Sequence, residues 1–336
     1  MTPSKVRSGF ALPAVLAVTG MVTLIFLVAM TALTSLTDEA RAAQSRVRFL
    51  ERALTAEARF GFTASTEPFA PEGINVGGPR LFEDDIYNPG GAGHLLYLDG
   101  RAYDADGSTL LSARDQAGMI NLAQLRGDSY LRLARVIGLG EVQAGSLADI
   151  YGDYVDQDNL KRSNGAEAAD YRGAGPPNRV MRTRDEWLSL LNVRSSVRAS
   201  AWREIRADLA MDPWSSAENV NTASPLTMQV LYGATADGAR NAVRQRQTGP
   251  FLSFADFAAA AGAGGMSDDV IQTYPSGIVV LTLRDSQSGW IYQSRLTLSP
   301  AGSERPFWID QVELYEAPRR AKAEISNALR LPYASR

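Results

Sequence analysis

Cysteine is absent from the 336-residue chain. That excludes disulfides, thiolate catalysis and zinc–thiolate sites. Histidine occurs once, as His94. A Ser-His-Asp triad would have to use it, and no nucleophile-elbow pattern is present, so no catalytic residue is assigned. An excess of one charge is also missing: 34 Lys and Arg stand against 37 Asp and Glu, a formal net charge of -3. Nothing in that balance draws the whole chain toward nucleic acid. The length allows a membrane helix plus one large or two modest domains.

What the chain does have is a long run without charge, Ser8 to Thr37, with Lys5 and Arg7 before it and Asp38 behind. Roughly 25 helical residues at about 1.5 Å each reach far enough to cross a bilayer with some tilt. Basic residues flank only the N-terminal side, so a short cytoplasmic N-terminus is expected, with the main domain exported to a bacterial periplasm. A cleaved signal peptide would be shorter and end in a small-residue cleavage site. Here the run passes without a breaker into Ala43, Val47, Leu50, Leu54 and Ala58, one stripe at three- and four-residue steps. One helix is predicted over 10–62, apolar first and amphipathic after. The stripe is expected to cover a sheet and to meet neighbouring subunits.

Arg7-Ser8-Gly9-Phe10 sets a basic leader, a Gly and a Phe directly before the apolar run. It resembles the cleavage site of type IV pilins and pseudopilins. The resemblance implies that a prepilin peptidase cuts after Gly9 and methylates Phe10, leaving the helix in the mature chain. Most of that class carries Glu as the fifth mature residue, where this chain has Ala14. In the class that Glu pairs with a neighbour's N-terminal amine, and a carboxylate in hydrocarbon without a partner is costly. Ala14 therefore suits a subunit at the fibre's end.

Downstream, Ser65 to Gly93 is rich in Gly and Pro and reads as an irregular surface connection. His94 to Leu98 and Arg101 to Tyr103 flank Asp99-Gly100, a two-residue hairpin signal. A further strand is predicted over Thr109 to Arg114. Helical patterns fill 120–274, with a capping box at Thr183 to Glu186 and N-caps at Ser224 and Ser253. Three β-rich runs begin at Ile278, Trp290 and Phe307 and suit an antiparallel meander. The predicted class is α+β: a pilin-like fold in which a long N-terminal transmembrane helix packs on an antiparallel sheet, interrupted by a large all-helical inserted domain. The divisions are a leader (1–9), the long helix (10–62), a pilin-like domain in two parts (63–119 and 275–317), the insert (120–274) and a frayed tail (318–336).

Three segments resemble the minor pseudopilin K family of the type II (general) secretion pathway. They are Arg114-Asp-Gln-Ala-Gly-Met-Ile-Asn, the acidic stretch from Asp153 through Gly165-Ala-Glu and Asp170-Tyr to Pro176-Pro177-Asn178, and Asn219-Val-Asn-Thr-Ala. The resemblance implies a protein without enzymatic activity. It implies a tip complex with minor pseudopilins I and J, and a pseudopilus built on an inner-membrane secretion platform that helps push folded proteins through an outer-membrane channel. It also implies calcium in the helical domain. Asp153, Asp156, Asp158, Glu167 and Asp170 are the candidate ligands, since Ca²⁺ takes six to eight hard oxygens. Their spacing is not that of an EF-hand, and a solvated acidic loop is the alternative. Asp104 to Gly107 reads as a turn. A second function class comes from Asn219 to Phe257, which also looks like a helix-hairpin-helix module of the kind that binds DNA phosphates. Its turn carries an acidic residue, and Arg240, Arg244 and Arg246 read as a solvated helix face.

N-terminal mass spectrometry of the native protein is expected to find a chain that starts at methylated Phe10. A start after Thr31 or beyond would make this an ordinary secreted protein.

Overall fold

A computed structural model describes residues 11–78, 82–83, 86–87, 94–264, 271–299, 303–316 and 325–333. Gly9 and Phe10 lie outside the described residues. The chain divides into two units, Met1–Leu54 and Thr55–Arg336.

Helix α1 (Ala11–Thr66) begins in the first unit and runs unbroken into the second. Among the described residues it is the one helix long and apolar enough to cross a membrane, and its apolar residues from Leu12 to Leu36 are exposed. Pro13 falls in the first turn, where no intrahelical N–H bond is lost. The hydroxyls of Thr19, Thr23, Thr31, Thr34 and Thr37 donate to carbonyls three or four residues back, which satisfies them without water. Ala14 lies in this exposed stretch. Further on, Phe49 and Ala53 are buried, Leu50 is half-buried, and Val47 and Leu54 are 56% and 47% exposed.

In the second unit α1 buries Ala56, Glu57, Phe60 and Ala64. The expected Val47–Leu54–Ala58 stripe is thus not the covering face. The buried face turns around Glu57, whose carboxylate accepts the Tyr292 hydroxyl at 2.8 Å, and around Phe60. A Cβ on Gly61 would fall 2.5 Å from the Phe307 ring, so a larger residue there would push that ring aside.

Short strands follow: β1 (Phe69–Ala70), β2 (Gly73–Asn75), β3 (Phe82–Glu83), β4 (Ile86–Tyr87) and β5 (Leu95–Tyr97). β1, β2 and β5 form a small antiparallel sheet. The expected surface connection is therefore partly interior. Pro71 to Val76 are buried because Ile74 and Val76 supply apolar side chains and Gly73 lets the Leu96 carbonyl come close.

The Asp99-Gly100 signal is not a hairpin. β6 (Asp99–Asp104) starts there, in a different sheet from β5. The pair forms a bulge against β7 (Thr109–Asp115), with Gly100 at φ 87° and the Asp99 carboxylate accepting from the Arg101 N–H and guanidinium. The β6–β7 turn is Asp104 to Gly107, as expected. The Asp104 carboxylate accepts the Asp106 and Gly107 N–H groups at 3.1 and 2.6 Å.

The insert is two modules rather than one helical block. The first runs from β8 (Ile120–Asn121) through α2 (Asp128–Ile137), α3 (Glu141–Val155), α4 (Val193–Ser196) and α5 (Ala199–Ile205) to β9 (Leu209–Ala210), which pairs in parallel with β8. Its core includes Leu133, Ile137, Leu147, Ile150 and the stacked indoles of Trp187 and Trp202, 5.9 Å apart. The Thr183 capping signal yields only a 3-10 turn, Arg184–Ser189. Thr183 Oγ1 accepts the Glu186 N–H as expected, but the Glu186 carboxylate accepts from the Arg182 N–H instead of closing the box. The second module holds β10 (Glu218–Asn219), α6 (Pro225–Tyr232), α7 (Ala236–Arg246), α8 (Phe254–Ala261) and β11 (Ile271–Gln272). β10 and β11 pair in parallel, and a separate core gathers Tyr232, Phe251, Phe254 and Phe257. Ser224 and Ser253 cap α6 and α8 as expected.

The chain then returns through β12 (Ile278–Asp285), β13 (Trp290–Leu298), β14 (Phe307–Glu316) and β15 (Leu329–Arg330). The large sheet has the order β14-β13-β12-β7-β6-β15. The predicted meander is its β12–β14 half. β15 pairs in parallel with β6, and Leu331 is buried, so the segment expected to be a frayed tail closes a sheet edge. On the face with Tyr292, Val279, Leu281, Leu283 and Leu296 are fully buried or nearly so. The opposite face is polar and receives the first module through ion pairs. Arg114 meets Asp208 at 2.6 Å, Arg206 joins Asp185 and Glu313 at 2.8 and 2.9 Å, and Arg295 meets Asp212 at 3.7 Å.

The turn leading into the first module and both ends of the second are tied to one buried carboxylate at the end of β7. Asp115 Oδ1 accepts the N–H groups of Ala117 and Ser276 and the Ser276 hydroxyl, and Oδ2 accepts from Asn219 Nδ2 and the Thr222 hydroxyl. Burial pushes this carboxyl above its ordinary range, against the hydrogen bonds that pull it down. Asn221 adds a second tie through Phe251 and the Thr273 carbonyl. Asp115→Ala strands these donors in a dry junction and is expected to cost at least about 3 kcal/mol. Asp115→Asn should cost less, but still something, because its amide would oppose the Asn219 amide donor. Denaturant unfolding of the full chain in detergent, followed by tryptophan fluorescence, checks this. Unchanged midpoints for both variants would contradict it.

Candidate metal centre

The loop after α3 is built by local hydrogen bonds. Asp156 ends the helix, donating its N–H to the Gly152 carbonyl at 3.0 Å. Asp158 Oδ1 accepts the Leu160 N–H at 2.8 Å, turning the chain back. Asp149 Oδ2 accepts both the main-chain and the side-chain N–H of Asn164 at 3.1 Å. At Gly165 a Cβ would lie 1.9 Å from Asp153 Oδ2, so only glycine fits.

These turns bring carboxylate oxygens of Asp156, Asp158 and Glu167 within 4.8 Å of one another. Glu167 is 7% exposed, and neither of its carboxylate oxygens has a well-formed hydrogen-bond partner, with only weak approaches from the Ala168 and Asp170 main-chain N–H groups. Asp156 Oδ1 is likewise buried without a partner. Burial raises the Glu167 carboxyl above its usual range, and the charges of Asp153, Asp156 and Asp158 add to the rise. A further partnerless buried oxygen, Asn178 Oδ1, belongs to the side chain whose amide donates to the Asp158 carbonyl at 2.7 Å. Asn178 holds φ at 50°, a conformation that Asn tolerates better than most residues.

The other two candidates lie apart from this cluster. Asp153 is fully buried and is engaged by Arg162, through its main-chain N–H and through Nε at 3.1 Å. Asp170 Oδ1 pairs with Lys161 Nζ at 2.8 Å, and Oδ2 accepts the Glu167 N–H at 2.9 Å. Its carboxyl is drawn below the usual range, first by Lys161 and then by that N–H. Crowded hard oxygens fit a divalent cation: Asp156 and Glu167 offer orphaned ones and exposed Asp158 offers its remaining carboxylate oxygen, while Asn178, bonded to the Asp158 carbonyl, brings a further partnerless oxygen to the same loop. Asn178 was visible in the Pro-Pro-Asn motif but was not singled out as a donor. Arg162 carried a signal too, as part of a Lys-Arg pair inside an acidic stretch.

The remaining candidates take other places. His94 Nδ1 lies 3.2 Å from the Val76 carbonyl oxygen, in a tie between β2 and β5. Of the basic cluster on α7, Arg240 and Arg244 are exposed as expected, and Arg246 is the exception. Arg246 is buried, donates to the Val220 and Ala223 carbonyls and lies 3.8 Å from Asp99, while Arg240 pairs with Asp237 in the first helical turn. That acidic residue stands where a phosphate-binding hairpin needs free N–H groups.

Residues 109–203 and 219–276 match two family models, both described as type II secretion system (T2SS), protein K. The two matches fall on the two modules, and each includes one or more of the motif segments. Both inserted segments match the type II secretion protein K family. The matches support a minor pseudopilin role in type II secretion, and that family is a structural component of the secretion machinery. Comparison with curated proteins finds no match. Among solved structures, a chain of the GspK-GspI-GspJ complex from the enterotoxigenic Escherichia coli type 2 secretion system is similar in fold. The TM-score is 0.55 at 15% identity, over 83% of this chain and 100% of that one.

Proposed function

We propose that this protein is a non-enzymatic minor pseudopilin at the tip of the type II pseudopilus, where it initiates or caps the fibre. The observation that carries the reading is the match of both inserted modules to the protein K family, on a chain that also holds an exposed apolar N-terminal helix. A helix of this kind suits a single inner-membrane span, with the short N-terminus cytoplasmic and the Thr55–Arg336 unit periplasmic. Prepilin peptidase is the expected processing enzyme, acting at Gly9 and Phe10. Ala14 removes the carboxylate that would need a neighbour's amine. The bulk of two modules mounted on one sheet face would hinder addition of another subunit above it.

The structurally similar E. coli chain occurs in a complex with GspI and GspJ, and the counterparts of those two proteins are the proposed partners. The exposed side chains Val47 and Leu54 and the half-buried Leu50 are available for their helices. When the full-length tagged chain is coexpressed with both counterparts, it should retain them in equal amounts after detergent extraction. Leu54→Glu should reduce that recovery several-fold. Recovery of the tagged chain alone at high expression would remove the main support for a tip complex.

The metal reading is calcium, held by Asp156, Asp158 and Glu167 with Asn178 beside them. A bound Ca²⁺ would neutralise the crowded carboxylates and order the loop; no reaction step is assigned to it. A cation that binds only the folded state stabilises it by about 2.7 kcal/mol at a hundredfold excess over Kd. The full chain in detergent is therefore expected to melt higher in millimolar Ca²⁺ than in chelator, with Mg²⁺ a poorer substitute because it demands tighter octahedral geometry. Asp158→Asn and Glu167→Gln should shrink that difference, whereas Asp104→Ala should leave it intact. A melting temperature indifferent to Ca²⁺ and chelator, in protein shown by elemental analysis to be metal-free, would leave an acidic loop and nothing more.

A further inference from the structure

We infer that Arg162 is a built-in counter-cation of the acidic loop, one that a bound divalent ion must displace from Asp156. The inference rests on the calcium reading above. Arg162 Nη2 lies 3.2 Å from Asp156 Oδ2, and its Nε lies 3.1 Å from Asp153 Oδ1. The guanidinium is seated against Gly152, where a Cβ would fall 2.5 Å from its Cζ, so the glycine makes the room. The Arg162 side chain is half exposed, at 49%, so one side of it already faces water.

The other oxygen of the same Asp156 carboxylate, and both oxygens of Glu167, are buried without a well-formed partner. The cluster thus holds one positive charge at its rim and none at its centre. A guanidinium spreads its charge over a plane and reaches two carboxylates at once, but it cannot enter a pocket bounded by three. It restrains the mutual repulsion of Asp156, Asp158 and Glu167 when no ion is bound. It then repels the incoming ion and occupies one of its ligands. The adjacent Lys161 plays no such part, because its ammonium is paired with Asp170. Arg162 therefore sets the calcium concentration at which the loop fills.

The test is calorimetric titration of the full chain in detergent with calcium, together with melting in chelator. Arg162→Gln is expected to bind calcium about tenfold more tightly, the order set by removing one unit charge a few ångströms away near a protein surface. The same variant should melt lower than the unmodified chain in chelator and regain the difference in calcium. Arg162→Lys keeps the charge, loses the planar fork, and should fall between the two. It also carries the test if the Gln variant does not fold. Lys161→Gln should leave the affinity unchanged. Equal or weaker binding by the Gln and Lys variants would overturn the inference and make Arg162 a support for Asp156. That outcome is told apart from failure of the calcium reading by the unmodified chain. If it binds calcium and loses binding on Asp158→Asn, only the role of Arg162 falls. If it binds none, both fall.

Discussion

A carboxylate taken out of water has to be met by donors, and the rest of this fold is arranged around how Asp115 is met. Its two oxygens gather groups from the turn that follows β7, from the start of the second module and from the segment that re-enters the sheet at β12. Three separate stretches of chain are fixed by one side chain. A large insertion in a sheet raises the problem of bringing its two ends back to adjacent strands. Here the ends meet at Asp115, and the closure of a long intervening loop is fastened by polar bonds instead of apolar contact. The ion pairs on the outer sheet face then fix the tilt of the first module. Loss of either partner would leave a charge in a poorly solvated place, so these contacts favour one arrangement over near alternatives.

This explains why the family's sequence markers lie where they do. Arg114-Asp115 and Asn219 to Ala223 are far apart in sequence and adjacent in space. They are the two sides of one joint. The acidic stretch is the third marker, and it forms its own local structure at the end of α3.

Much of the architecture was legible because it depends on short-range rules. The β12–β14 meander, the Asp104 turn, and the Ser224 and Ser253 caps follow from alternation and capping chemistry, and each appears where it was expected. What was not legible depends on tertiary partners. Asp99-Gly100 carries a good local hairpin signal, yet β5 pairs with β2 and the same dipeptide becomes a bulge. The covering face of α1 could not be separated from its neighbour by periodicity alone, since Val47 and Leu54 are as apolar as Phe60. Glu57 decided it, by finding Tyr292. In the acidic loop, five acids were visible and composition treated them alike. Which of them Lys161 and Arg162 would claim was a question of side-chain reach, and that fixed the three oxygen donors that remain together. The split of the insert into two cores was equally hidden, because both cores share the same helical periodicity.

The parallel pairing of β15 with β6 has a consequence for the order of folding. β6 is among the first strands of the large sheet to be made and β15 is the last. The sheet therefore cannot complete its β6 edge until almost the whole chain is available, with both modules and the four other strands of the sheet already emerged. Contacts of such long sequence separation are slow to form, since loop closure precedes any gain from the pairing. During that interval β6 presents open N–H and C=O groups, a template on which another chain could pair. The C-terminal residues thus act late, as the stitch that ends this period of exposure, and a chain cut short before Leu329 would keep the open edge for its lifetime.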